Sequence, residues 1–167
     1  VFFINIYKIM CLRKIKQNRV LFLSNRRDDL SGNFEFVQKK LKEYDDLEFV
    51  YLLDSSLEGK DYKISTAFKL ALYLATSKVI LVDDFFYLLE IQKRKGTYLF
   101  QLWHACGAFK TFGFSRSNVI KSRKKQAEKY HRTYDCAIVS SKEISDFYAE
   151  GFGLSLEKIK ATGIPRT

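Results

Sequence analysis

Short runs of β-branched and aromatic residues alternate along this chain with longer stretches in which apolar residues recur at helical spacing. That alternation predicts an α/β fold, a mainly parallel sheet covered by helices. Arg19, Val20, Leu21, Phe22, Leu23 and Ser24 form the first expected strand, and their nearly unbroken apolar character fits burial on both faces. Phe34, Val37, Leu41 and Tyr44 follow at helical spacing, with Ser31 or Asn33 available as a cap. Leu47 to Leu53 is a second strand, Ala67, Leu70, Ala71 and Leu74 mark a second helix, and Val79 to Val82 is a third strand ending in Asp83 and Asp84. A fourth strand, Thr97 to Trp103, follows a turn at Lys93 to Gly96.

The stretch from His104 to Ser115 has no helical period and reads as a loop leaving the C-terminal end of a strand, the edge where open α/β sheets bind ligands. A basic helix is expected from Asn118 to about Arg132, with Ile120, Ala127, Tyr130 and Tyr134 as its inward stripe. Cys136 to Val139 is a fifth strand. Ser140 with Glu143 reads as a capping box opening a helix that Gly151 closes. Lys158 to Thr162 is a short sixth strand, and the chain stops at Gly163, Ile164, Pro165, Arg166, Thr167 without a helix to cover it, so further chain is expected downstream.

Residues 1–17 stand apart as a leader. The run from Val1 to Leu12, broken by Asn5 and Lys8, is shorter than the roughly 20 residues a membrane span needs. Its positive charges, Arg13, Lys14 and Lys16, follow the apolar stretch, whereas a secretory signal places them before it. The leader reads either as a segment lying on an anionic membrane surface or as a linker helix of a longer protein. Residues 18–167 then form one domain.

With 167 residues, 47% of them hydrophobic, the chain is long and apolar enough to bury a core, which excludes disorder and coiled coil. Three cysteines, Cys11, Cys106 and Cys136, show no metal-binding spacing and cannot all pair, which fits a reduced, cytoplasmic setting. The net charge of +10 is localised. Lys8 to Arg27 carries seven basic residues and no acidic one, and Lys110 to Arg132 carries eight against Glu128 alone. Such patches concentrate anions. Nucleic acid is disfavoured as the partner, because no recognition motif is present and the basic residues are not interleaved with aromatics.

Two histidines are present. His131 sits at the end of the basic helix beside Tyr130 and Arg132 and reads as a surface residue. His104 lies at the exit of the fourth strand, between Trp103 and a small-residue turn, where an imidazole can act as a general base or be a core residue bonded to backbone. Cys106 as a nucleophile with His104 as its base lacks an orienting third group, and His104, Cys106, Asp83 and Asp84 make only a weak metal set. Gly107 and Gly113 match no nucleotide-loop fingerprint.

The segment Gln101, Leu102, Trp103, His104, Ala105, Cys106, Gly107, Ala108, Phe109, Lys110 to Ser115, the terminal Thr162 to Thr167, and the loop Ser24 to Asn33 together resemble the CDP-glycerol glycerophosphotransferases of teichoic acid and capsule synthesis. That resemblance implies a Rossmann-like three-layer domain, the first half of a GT-B fold, whose nucleotide-binding second domain is absent from this chain. It implies transfer of glycerol phosphate from CDP-glycerol to an anionic polyol-phosphate acceptor at the inner membrane face, with release of CMP and no cofactor or metal. His104 matches the histidine of the family's Trp-His motif, the implied base. Arg166 matches the basic residue of the Gly-x-Pro-Arg turn. Lys110, Arg166, Arg26 and Ser140 are the candidate substrate-binding residues. Ala105 and Cys106 stand where many members carry Gly-Thr. Another nucleotide-activated polyol or sugar, ribitol phosphate included, is the alternative donor chemistry, and a non-enzymatic anion-binding module is the alternative class.

Overall fold

The computed structural model describes residues 2–58, 63–86, 93–116 and 133–167. Among these, β1 (Lys16–Ser24), β2 (Glu48–Leu53), β3 (Ser77–Val82), β4 (Tyr98–Gln101), β5 (Cys136–Val139) and β6 (Ile159–Ala161) form one sheet in the order β2-β1-β3-β4-β5-β6. Every pairing is parallel. The alternation of short apolar runs with helical segments therefore yields the α/β sheet it predicts.

Strand parity divides the core in two. Leu21 and Leu23 of β1 face one side with Ile80 and Val82 of β3, Leu99 of β4 and Val139 of β5. Val20, Phe22 and Leu81 face the other with Phe34. Both faces of the central strands are buried, which is why their sequence shows no polar alternation. The first side is covered by α1 (Phe2–Met10), α3 (Ile64–Thr76) and α4 (Ser145–Phe152), and the second by α2 (Asn33–Leu41). Phe22 meets Phe34 edge-on at 5.3 Å, fixing α2 against β1.

Helix α1 occupies the expected leader, and β1 begins at Lys16. Phe3, Ile6 and Tyr7 of α1 are buried in the core cluster with α3, while Phe2, Ile4, Ile9 and Leu12 remain exposed. No helix among the described residues is long and apolar enough to cross a membrane.

Several expected boundaries shift. Strand β4 stops at Gln101, because Trp103 takes φ 54°, a left-handed backbone that no strand contains. Gly151 lies inside α4, and Gly153, at φ 63°, supplies the left-handed C-cap instead. Gly151 is required there for a different reason: a Cβ on it would sit 2.5 Å from the Phe112 ring. Neither expected cap forms. Gly32 is the N-cap of α2, Asn33 is its first buried residue, and the 3-10 turn Lys142–Ile144 precedes α4 with no side-chain cap. Tyr44 falls beyond the end of α2 and is exposed. The expected basic helix, including Ile120, Ala127, Tyr130 and His131, lies outside the described residues.

Candidate functional site

The strand order reverses direction between β1 and β3, so the crevice at the C-terminal ends of these strands is the topological switch point of the sheet. Arg26 and Arg27 follow β1, Asp83 and Asp84 follow β3, and the Trp103-His104 segment follows β4 next door. Two ion pairs join the first two exits. Arg26 Nη1 lies 2.7 Å from Asp84 Oδ2. Arg27 Nε lies 2.5 Å from the buried Asp83 Oδ2 as an ion contact without hydrogen-bond alignment.

The β4 exit is held by side chains drawn from across the chain. Leu102 N–H continues the ladder to the Val82 carbonyl at 2.7 Å. Trp103 N–H then donates to Gln101 Oε1 at 2.9 Å, while Gln101 Nε2 donates to the Asp84 carbonyl and to the Tyr134 hydroxyl, each at 3.1 Å. Asn33 Nδ2 donates to the Leu102 and Trp103 carbonyls at 3.2 and 2.7 Å. A bulky residue at positive φ costs of order 1–3 kcal/mol, so Trp103 persists there only because both of its peptide groups are pinned. Its indole packs on Phe112 and Phe152 and stacks on His104, centroids 4.4 Å apart.

His104 thus has its ring direction set by a fixed neighbour. Its Nδ1 lies 3.3 Å from the Asp83 carbonyl oxygen and 3.7 Å from Asp84 Oδ2. A carbonyl can only accept, so Nδ1 carries the proton, and the basic lone pair is on Nε2. The side chain is 27% exposed, and Nε2 bonds to no described residue. The ring can take a proton from a bound hydroxyl, and it is not sealed in the core.

Arg166 reaches back from the C-terminal turn to donate from Nη2 to the His104 carbonyl at 3.0 Å, with Cys106 Sγ 3.7 Å from the same nitrogen. Ser140 Oγ donates to the Cys106 carbonyl at 2.6 Å. Its expected capping partner, Glu143, is served by Ser141 instead, whose hydrogen bond holds the Glu143 carboxyl below its ordinary value. Arg26 meets the site through Asp84. Lys110 is exposed further along the same loop and bonds to no described residue. Arg166 and Ser140 therefore contact the His104 loop directly, Arg26 is linked to it through Asp84, and Lys110 lies on the loop without a described partner. Cys106 is exposed and faces Arg166, with no contact to the His104 ring.

Sequence reasoning gave Asn33 only as a possible helix cap and Gln101 only as part of the family motif, and it passed over Tyr148. Tyr148 Oη donates to the Ala105 carbonyl at 3.0 Å and lies 3.3 Å from that of Gly107. Burial, with a smaller contribution from Cys106, pushes its phenol up to about 12. The one available signal was a polar side chain inside an apolar element. Among the described residues no cluster of three or more His, Cys, Asp or Glu could hold a metal ion.

Fold and site define an α/β Rossmann-like domain with a partly exposed imidazole beside the Arg26–Asp84 and Arg27–Asp83 ion pairs at its switch-point edge. The chain belongs to the CDP-glycerol:poly(glycerophosphate) glycerophosphotransferase family, whose model matches residues 5–167. It is 43% identical over 163 residues to a teichoic acid poly(ribitol-phosphate) polymerase of Bacillus spizizenii, covering 96% of this chain and 26% of the relative. A teichoic acid ribitol-phosphate primase of the same organism is 38% identical, with 96% and 43% covered, and the ribitol-phosphate polymerase TarK of Staphylococcus aureus is 37% identical, with 98% and 32% covered. The chain thus spans from about a quarter to under a half of these relatives. Among solved structures, the wall teichoic acid polymerase TagF superposes with a TM-score of 0.77 at 14% identity, over 98% of this chain and 43% of that one. The shared fold is the Rossmann-like first half of a GT-B architecture.

Proposed function

We propose that this chain is the acceptor-side domain of an enzyme that transfers glycerol phosphate from CDP-glycerol to a teichoic acid or capsule-like acceptor. The acceptor hydroxyl oxygen bonds to the phosphorus that carries glycerol, the bond from that phosphorus to CMP breaks, and the hydroxyl proton passes to His104 Nε2. CMP leaves with the bonding electrons. The observation that carries this reading is the imidazole itself: Nδ1 is committed to the Asp83 carbonyl while Nε2 bonds to no described residue on a ring that is 27% exposed, with Arg166 on the main-chain carbonyl of the same residue and Arg26 on the neighbouring Asp84. Arg26, Lys110 and Arg166 offset charge on the reacting phosphate and on the anionic acceptor. Ser140 acts through the loop, since its one proton is used on Cys106. The nucleotide is held by a second domain beyond this chain, and no cofactor enters.

The decisive test is His104→Ala in the longer enzyme, scored by CMP release. Transfer should be abolished with the fold retained, and survival of most of the activity removes His104 from the base role. A second donor has a specific observation in its favour. Relatives named for ribitol phosphate match 91–98% of the chain at 36–43% identity, whereas those named for glycerol phosphate match 56–58% at 29–34%. Offering CDP-glycerol and CDP-ribitol to the longer enzyme separates the two. A location at the inner, anionic membrane face is part of this proposal, and the exposed Phe2, Ile4, Ile9 and Leu12 in the same segment as Lys8, Arg13 and Lys14 support it.

A further inference from the structure

The carbonyl groups of Leu102, Trp103, His104, Ala105, Cys106 and Gly107 all meet side-chain donors. Asn33 serves the first two, Arg166 serves His104, Ser140 serves Cys106, and the one proton of the Tyr148 hydroxyl serves Ala105 at 3.0 Å with Gly107 at 3.3 Å from the same oxygen. The donor half of the same main chain is treated differently. Leu102 and Trp103 N–H are bonded, but the N–H groups of His104, Ala105, Cys106, Gly107 and Ala108 meet no acceptor among the described residues.

In a trans peptide the N–H points opposite to the C=O of the preceding residue, and no described peptide is cis. The carbonyls of Ala105, Cys106 and Gly107 are turned onto Tyr148 of α4 and Ser140 at the end of β5. The next N–H groups, of Cys106, Gly107 and Ala108, are therefore directed away from that body. A loop whose carbonyls are turned onto side-chain hydroxyls and whose N–H groups from His104 to Ala108 meet no acceptor among the described residues is complementary to a ligand that accepts. Successive main-chain N–H groups are an established way to hold anions, and Arg166 on the His104 carbonyl adds positive charge at the same loop.

We propose that the main chain of Cys106, Gly107 and Ala108 is a phosphate-binding segment, with Tyr148 and Ser140 as positioning residues that turn its carbonyls aside. The identity of the phosphate as part of a polyol-phosphate substrate rests on the function proposed above, whereas the binding of phosphate does not. The phosphate comes either from the acceptor end or from the donor. Glycerol 3-phosphate and CMP, as separate ligands, distinguish these sources.

The test is an amide-resolved titration of the 15N-labelled chain with inorganic phosphate, then with each of those two probes. Saturable shifts at the Cys106, Gly107 and Ala108 amides, absent with sodium chloride at matched ionic strength, are expected. Silent amides with shifts confined to Lys110 or Arg166, or an equal response to chloride, overturn the proposal. Tyr148→Phe should weaken phosphate binding about tenfold by removing the donor that turns the Ala105 and Gly107 carbonyls toward α4, and unchanged affinity in a folded variant removes Tyr148 from the positioning role. If that variant does not fold, the wild-type titration still decides. Phosphate binding without transfer in the longer enzyme sinks the function and not the site, and transfer with silent amides sinks only the site.

Discussion

The Asn33 side-chain amide lies 2.7 Å from the carbonyl oxygen of Trp103, 70 residues away in sequence, and so ties the first residue of α2 to the residue immediately before the candidate base His104. Asn33 is buried, and its second contact, to the Leu102 carbonyl, holds the preceding peptide as well. Replacing it leaves two carbonyls without donors and releases a backbone held at positive φ.

Asn33→Ala is therefore expected to cost about 1–3 kcal/mol. Asn33→Asp should cost at least as much, because it turns an oxygen toward two carbonyl oxygens. Urea unfolding followed by the fluorescence of Trp103, the single tryptophan of the sequence, reads both stability and the local site. An unchanged midpoint and emission spectrum in Asn33→Ala would show that the β4 exit holds its shape without this clamp.

The close crossing of the His104 loop over α4 gives a second test. A Cβ on Gly113 would lie 2.0 Å from the Gly151 carbonyl oxygen, and Gly113 also has φ +53°. Gly163 has φ +83° but nothing within 4 Å of a Cβ. Gly163→Ala should thus show only the left-handed penalty, about 1–2 kcal/mol, and Gly113→Ala more than about 3 kcal/mol. Thermal unfolding of the two variants compares them directly. Equal losses would mean that backbone conformation, and not the close approach, makes Gly113 necessary.

These contacts mark the limit of what the sequence alone makes legible. The β-branched runs and the helical period are local properties, and they locate β1, β3 and β5 and the cores of α2 and α3. The motif around Trp103 and His104 and the Arg166 turn likewise point to segments that the fold brings together. Roles across the chain escaped local reading. Ser140 and Asn33 each read as a cap, the commonest use of those residues near a helix start, yet they serve carbonyls 34 and 69–70 residues distant. Gly151 read as a stop because glycine usually is one, yet it is there to admit the Phe112 ring. Gln101 stood in the motif without a role of its own, and Tyr148 carried no signal beyond being polar-tipped within an apolar element.

The exposed face of α1 predicts a membrane response. Phe2, Ile9 and Leu12 are exposed, and the basic residues Lys8, Arg13 and Lys14 lie along the same segment. Co-sedimentation with vesicles containing phosphatidylglycerol should exceed that with neutral vesicles and fall as salt rises, each basic residue contributing about 1 kcal/mol near the surface. Ile9→Asp combined with Leu12→Asp should reduce binding without unfolding, since both side chains lie outside the core. Binding of equal strength to neutral vesicles, or binding that survives the double substitution, removes α1 as the contact.

Tyr148 links the loop to alkaline pH. Its phenol is raised by burial from 10.0 to about 12, so the folded protein keeps this proton after the unfolded chain has lost it. Below pH 10 both states are protonated, and the contribution of Tyr148 to stability is fully present. Between pH 10 and about 12 the unfolded state ionises first and is favoured, so stability must fall as pH rises through that window. Ionisation in the folded state then removes the donor for the Ala105 and Gly107 carbonyls. Tyr148→Phe, less stable at neutral pH, should lack this share of the alkaline loss, so the gap between variant and parent narrows from pH 10 upward. Urea midpoints measured at intervals from pH 8 to pH 12 give the result, and a gap of constant size across that range would mean that the hydroxyl does not hold the loop.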